Sequence, residues 1–171
     1  MPESNASGAA SAPPGSPAAG APRAASGSAV ATVVVRCSTC STLNRVDLSR
    51  IDNKPKCSRC ANALPLDKPL VATDADFDRF IGAATVPVVV DFYADWCGPC
   101  KAMAPVLETF AQAKVGKALV LKVNTDANPA LSQRFRIASI PTLLVFRHGR
   151  EWKRQVGVTT REALARMVAD D

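Results

Sequence analysis

No run of 18 or more apolar residues occurs in this chain of 171 residues, so no segment is apolar for long enough to cross a bilayer as a helix. Marks of export are missing too. The first basic residue is Arg23 and the apolar stretch 30–35 is short and late, whereas a signal peptide needs a basic start followed by roughly 7–15 apolar residues. A cytoplasmic protein is expected, in which clustered cysteines point to metal or redox chemistry rather than structural disulfides. Histidine occurs once, at His148, with no partner in view, and reads as a turn residue. Residues 29–66 hold no aromatic side chain and few aliphatic ones. That segment needs a staple to hold it together, and it lacks the rings on which nucleic-acid bases stack.

What the chain does have is a positive balance, +6 overall. Residues 1–28 are neutral, 29–66 carry six bases against two acids, and 67–171 carry fourteen against twelve. Most of the excess therefore shares a segment with four of the six cysteines. If those four bind one zinc ion as thiolates, two negative charges remain at the site and the segment falls to about +2. Its bases are then partly counter-charges to their own metal centre. A nucleic-acid partner is not expected.

The chain divides into three parts. Of residues 1–28, twenty-four are Ala, Pro, Gly or Ser, a composition that cannot offset its ordering entropy and predicts a disordered tail. Residues 29–66 form the candidate metal module. Residues 67–171 are long enough to fold independently. In that third part, strands are predicted over 69–73, 86–93, 118–124, 142–147 and 152–156. The second is apolar nearly throughout, as a strand buried on both faces would be. Helices are predicted over 74–82, after Cys100 with a kink at Pro105, over 129–135, and after a capping box of Thr159 and Glu162. Residues 147–150 read as a hairpin turn. The order βαβαβαββα implies an α/β fold: a mixed sheet, parallel in its first half, with helices on both faces.

Cys97-Gly98-Pro99-Cys100 falls where the buried strand gives way to a helix. A spacing of three in a first helical turn brings Cα atoms to about 5–6 Å, within reach of a disulfide. Cys97, at the helix start, faces unsatisfied N–H groups and the positive dipole end, which lower a thiol pKa and favour a nucleophile. Cys100, one turn inside, is expected to be better shielded and to act as the resolving thiol. Pro99 has no N–H to offer, which a first turn tolerates. Half of a zinc site is the alternative, with His148 as the remaining candidate ligand in this part. Asp91, inside the run Val88-Val89-Val90-Asp91-Phe92, is costly without a role or a partner. Lys122 is its expected neighbour, and a plain structural ion pair is the alternative reading.

The segment 91–101, Asp91-Phe92-Tyr93-Ala94-Asp95-Trp96-Cys97-Gly98-Pro99-Cys100-Lys101, resembles the active-site stretch of the thioredoxin family. Ile140-Pro141-Thr142 resembles its cis-proline loop and Val156-Gly157 its later glycine site. The resemblance spans residues 67–171 and implies the thioredoxin fold and a redox-active disulfide, with no organic cofactor. It implies that Asp91 acts through water as base for the Cys100 thiol, with Lys122 beside it. It implies further that Pro141 is cis, so that the Ile140 backbone can pair with an extended substrate. Trp96, Gly98, Pro99 and Gly157 complete the substrate surface, with mere packing as the alternative reading of Trp96. Tyr93 departs from the family, whose best-known members have Trp there.

The remaining cysteines, Cys37-x₂-Cys40-x₁₆-Cys57-x₂-Cys60, fit the spacing of a closed, structural site for one zinc ion. Stretches 33–36 and 43–46 could be the ribbon strands that bring the two knuckles together, and two disulfides are the alternative pairing. A zinc module ahead of such a domain resembles the zinc-carrying bacterial thioredoxin 2 group, apart from the longer tail before Cys37. The reading is a monomeric protein-disulfide reductase that acts on disulfide-containing proteins and is recharged by thioredoxin reductase, an NADPH-linked flavoprotein. Its rival is a zinc-ribbon binding or redox-sensing adaptor carrying a secondary thioredoxin domain.

Overall fold

The computed structural model describes residues 30–169; the tail expected over 1–28 lies outside them. Two antiparallel strands, β1 (Thr32–Arg36) and β2 (Leu43–Asp47), open the structure. A 3₁₀ segment follows at Leu48–Asn53, its start capped by Asp47, whose carboxylate accepts from the Ser49 N–H. The cysteine knuckles are two copies of one turn. In each, the first cysteine N–H donates to the residue five positions on (Thr42 O at 2.9 Å, Asn62 O at 2.8 Å). In each, the residue after the second cysteine, Ser41 or Ala61, takes a left-handed φ.

The remaining elements are β3 (Leu70–Val71), α1 (Phe77–Ala83), β4 (Val88–Tyr93), α2 (Gly98–Ala113), β5 (Leu119–Asn124), α3 (Pro129–Arg134), β6 (Thr142–Arg147), β7 (Arg150–Val156) and α4 (Arg161–Val168). Their order is the expected βαβαβαββα. The five strands form one sheet in the order β3-β5-β4-β6-β7, parallel across its first three members and antiparallel from β4 through β6 to β7. Strand alternation sorts the core into two layers. Val88, Val90 and Phe92 join α1, Phe135 and Phe146 on one face, whereas Val89 joins Met103, Leu107 and Phe110 of α2 and Leu164 of α4 on the other. Asp91 has the parity of Val89 and so lies on the α2 side of the sheet.

The layer containing α1 does not stop at the thioredoxin-like part. Val33, Val35, Val46 and Leu48 of the ribbon belong to the same buried cluster as Phe77, Phe80 and Ile81. Strand β1 runs antiparallel to α1. Thr32 exchanges hydrogen bonds with Thr85 at the helix end (N–H to Oγ1 2.8 Å, carbonyl from N–H 3.0 Å), and Arg36 forms an ion pair with Asp76 at its start.

One local expectation changes. The cap of α4 is Thr160, whose Oγ1 accepts from Ala163 N at 3.2 Å; Thr159 lies one residue outside and donates its N–H to Met103 Sδ. The capping-box pattern fails because three residues beyond the true cap stands Ala163, not Glu162. Helix α2 runs from Gly98 to Ala113 through Pro105, and Pro105 O accepts from Thr109 Oγ1 at 2.8 Å. His148 and Gly149 both take positive φ between β6 and β7, as a two-residue type I′ hairpin turn demands. No helix among the described residues is long and apolar enough to cross a membrane.

Candidate active site

The end of β4 and the start of α2 set the chemistry. Tyr93 ends the strand, Ala94, Asp95 and Trp96 make the turn, and Cys97 is the N-cap of α2. Cys97 and Cys100 are joined as a disulfide with Cα atoms 5.3 Å apart, and the Cys100 N–H points at Cys97 Sγ at 3.1 Å. That N–H and the dipole behind it would stabilise a thiolate on Cys97 once the bond is reduced. Burial does not separate the two sulfurs as expected, since Cys97 is 4% exposed and Cys100 5%. Both are packed with Ala94, Tyr93 and Ile140. Access separates them instead: a groove of about 440 Å³ is lined by Trp96, Cys97, Gly98, Pro99, Ser139 and Ile140, among others, and not by Cys100.

The groove has two walls. Trp96 is 71% exposed and held by its indole N–H, which donates to Asp126 Oδ2 at 2.9 Å. Opposite lies the Ile140–Pro141 peptide, which is cis. Thr142 Oγ1 donates to Ser139 O and Gly157 N–H donates to Pro141 O at 2.8 Å, so the loop is pinned from both sides. That bond sets Gly157 directly beside Pro141, and its φ of +85° is what requires glycine there. Neither backbone polar group of Ile140 has a hydrogen-bond partner among the described residues. Asp126, which aims Trp96, was not foreseen; an isolated loop acid gives no local signal of a partner thirty residues away.

Asp91 is 1% exposed and its Oδ1 has no hydrogen-bond partner. Burial pushes its pKa up to about 6, with Lys122 pulling the other way. Lys122 is its register partner on β5, but its ammonium lies 4.2 Å from the Tyr93 ring centroid and forms no ion pair with the carboxylate. The structural ion pair considered from sequence is thus absent.

The second cysteine set converges. The Sγ atoms of Cys37, Cys40, Cys57 and Cys60 all lie within 4.8 Å of one another, close to the spacing of about 3.8 Å that four sulfurs at about 2.3 Å from a tetrahedral ion would have. Donors surround them: Arg59 N–H reaches Cys57 Sγ at 3.4 Å and pulls that thiol down to about 6, while Asn44 and Asn62 amides approach Cys57 and Cys60. Asn44 also accepts from Ser58 N–H at 2.9 Å, tying one knuckle to the other. Four such thiols fit a metal ion, and the cluster could hold one.

What the pair on α2 can do is exchange thiols for disulfides, and a cis-proline loop facing it defines a thiol–disulfide oxidoreductase with a thioredoxin fold. Comparison with known proteins agrees. The profile of the family described as Thioredoxin matches residues 68–170. A thioredoxin from Alicyclobacillus acidocaldarius is 48% identical over 101 residues, 59% of this chain and 95% of that protein. Thioredoxin C-3 of Corynebacterium nephridii is 40% identical over 115 residues, covering 66% and 77%. Among solved structures, a point mutant of a thioredoxin from Halobacterium salinarum matches with a TM-score of 0.56 and 35% identity, over 60% of this chain and 89% of that one. The chain belongs to the thioredoxin family. It is a thiol–disulfide oxidoreductase, an enzyme of the protein-disulfide reductase kind, and the family implies disulfide-containing protein substrates and a thioredoxin reductase.

Proposed function

We propose that Cys97 is the nucleophile and Cys100 the resolving thiol of a cytoplasmic, monomeric reductase of protein disulfides. The observation that carries this is the placement of Cys97 at the α2 cap, opening on the groove between Trp96 and the Ile140–Pro141 loop. The Cys97 thiolate attacks one sulfur of the substrate disulfide, forming a mixed disulfide and expelling a substrate thiolate. Cys100 loses its proton to Asp91 through water, attacks Cys97 Sγ and releases the second substrate thiolate. Two electrons pass from the dithiol to the substrate and the Cys97–Cys100 disulfide remains. Lys122 lowers the Asp91 pKa from nearby. The backbone of Ile140 pairs with an extended substrate strand, Trp96, Gly98, Pro99 and Pro141 shape the groove, and Gly157 holds Pro141 in place.

Zinc is the ion that four cysteine thiolates of this spacing select, held by Cys37, Cys40, Cys57 and Cys60. With no open coordination position it would supply cross-linking and no chemistry. Residues 29–66 are then a metal module and 67–171 the redox domain. The electron donor is an NADPH-linked flavoprotein; the bifunctional thioredoxin reductase/thioredoxin of Mycobacterium leprae, 43% identical over 98 residues, carries both activities in its name.

The test is trapping. Cys97→Ser should abolish disulfide reduction, and Cys100→Ser should accumulate a mixed disulfide through Cys97, read by non-reducing mass analysis. Trapping through Cys100 in the Cys97 variant, or full turnover in either, would reverse the assignment.

A further inference from the structure

The ribbon carries a groove that the redox chemistry does not use. It is lined by Asn44, Arg45, Val46 and Asp47, four consecutive residues of β2, and faced by Arg50, Asn53, Pro55, Lys56, Ser58 and Leu64, with a volume of about 340 Å³. Successive side chains of a strand point to opposite faces, so a cavity lined by four in a row runs along the strand's edge. That edge is open: β2 pairs with β1 alone in a two-stranded sheet, and no backbone hydrogen bond joins it to 55–58 among the described residues. The Asn44 side chain, bonded to Ser58, closes one end.

Charge says what the edge accepts. Arg45, Arg50 and Lys56 are exposed, and their side chains make no hydrogen bond or ion pair among the described residues, although Arg50 lies in Coulombic reach of Asp47. Arg36, by contrast, is taken by Asp76. Asp47, the carboxylate on the groove, is turned to its own turn and accepts from Ser49 N–H and Oγ at 2.9 and 2.6 Å. A metal centre of four thiolates and one dication would offset two positive charges of the module, which still leaves it positive. Single-stranded nucleic acid would need rings to stack on, and residues 29–66 have none.

We propose that this groove is a docking site for an extended acidic peptide segment, which adds a strand to the free edge of β2 and places carboxylates against Arg45, Arg50 and Lys56. It goes beyond the redox reading, since it recruits a partner or substrate at a surface separate from the Cys97 groove and requires no electron transfer.

The experiment uses the full-length, metal-loaded protein in its oxidised state, so that thiol exchange plays no part. Fluorescence anisotropy follows a labelled, cysteine-free dodecapeptide alternating Glu with Thr, the same peptide with Gln for Glu, and an oligo-dT of similar length. The expected result is binding of the Glu peptide at least tenfold tighter than the Gln peptide, weakening with salt as screening predicts. Peptide binding should also slow amide exchange over 43–47. The variant Arg45→Glu/Lys56→Glu should lose at least tenfold in affinity while keeping its metal content and its reduction of a small synthetic disulfide. Equal affinity for the Glu and Gln peptides by the wild-type protein overturns the proposal whatever the variant does. So do tighter binding of oligo-dT than of the Glu peptide, and peptide protection that falls outside the β2 edge.

Discussion

Asp91 is buried on the α2 side of the sheet with an oxygen that nothing donates to, while the Lys122 ammonium sits on the Tyr93 ring. Its folded-state pKa, about 6, lies above the ordinary carboxylate value of 3.8. The folded protein therefore binds more protons than the unfolded chain between those values, and this residue lowers stability as pH rises through 6. The cost is absent below about pH 4 and reaches about 3 kcal/mol above pH 7. Asp91→Asn should thus be more stable than wild type at pH 8, by up to about 3 kcal/mol, less about 1–3 kcal/mol if the amide is left unsatisfied. That difference should shrink steadily as pH falls to 4, measured by urea melts across the range. A pH-independent difference would show that the Asp91 carboxyl has the same pKa in the folded and unfolded protein. A pKa near the working pH is also what a general base needs, so the same variant should slow resolution of the Cys97 mixed disulfide in single-turnover quench experiments. Unchanged resolution between pH 6 and 8 would remove Asp91 from the proton path.

The elements differ in how much of them the residues announce. Strands β4, β5 and β6 are mostly apolar, so their buried state and Asp91 as the anomaly within β4 could be read directly. The order of elements and the redox turn followed from local periodicity and from the Cys97–Cys100 spacing. Helix α4 shows the limit of such reading, because two threonines compete for one cap. Geometry chooses Thr160, and Thr160→Ala should cost about 1 kcal/mol against near neutrality for Thr159→Ala. Equal losses in thermal melts of the two would mean that the cap is shared. What local pattern could not reveal is pairing between distant segments. Nothing in 32–36 says that its valines will lie on Phe77 and Phe80, and nothing around Asp126 says that it will hold Trp96. The 3₁₀ segment Leu48–Asn53 was missed for a related reason: its six residues are too few to show a period, and Leu48 and Ile51 are anchored by the neighbouring domain's core.

At the scale of the molecule, the ribbon and the redox domain share one apolar cluster, so metal binding by the four cysteines should be felt beyond the ribbon. Val33 and Val35 are 2% and 0% exposed, against an α1 whose Phe77 and Phe80 are fully buried. Ile51 reaches toward the α2–β5 turn, its Cδ1 only 3.3 Å from where a side chain on Gly116 would begin. Folding of so small a module and metal capture are one event, and losing the module would return the burial of at least two valines, on the order of 3 kcal/mol, to water. Protein prepared under reducing conditions should contain about one zinc per chain, lost in Cys57→Ser/Cys60→Ser. Stripping the metal should then lower the unfolding midpoint of the whole chain, followed by circular dichroism in the region dominated by the redox domain. Disulfide reduction at 25 °C should survive, because the Cys97 groove is lined by none of the ribbon's residues. A chain beginning at Asp67 should behave as the stripped protein does, active but less stable. An unchanged midpoint would make the ribbon a passenger on an independent domain, and loss of activity in a chain still folded would place the ribbon in the catalytic machinery.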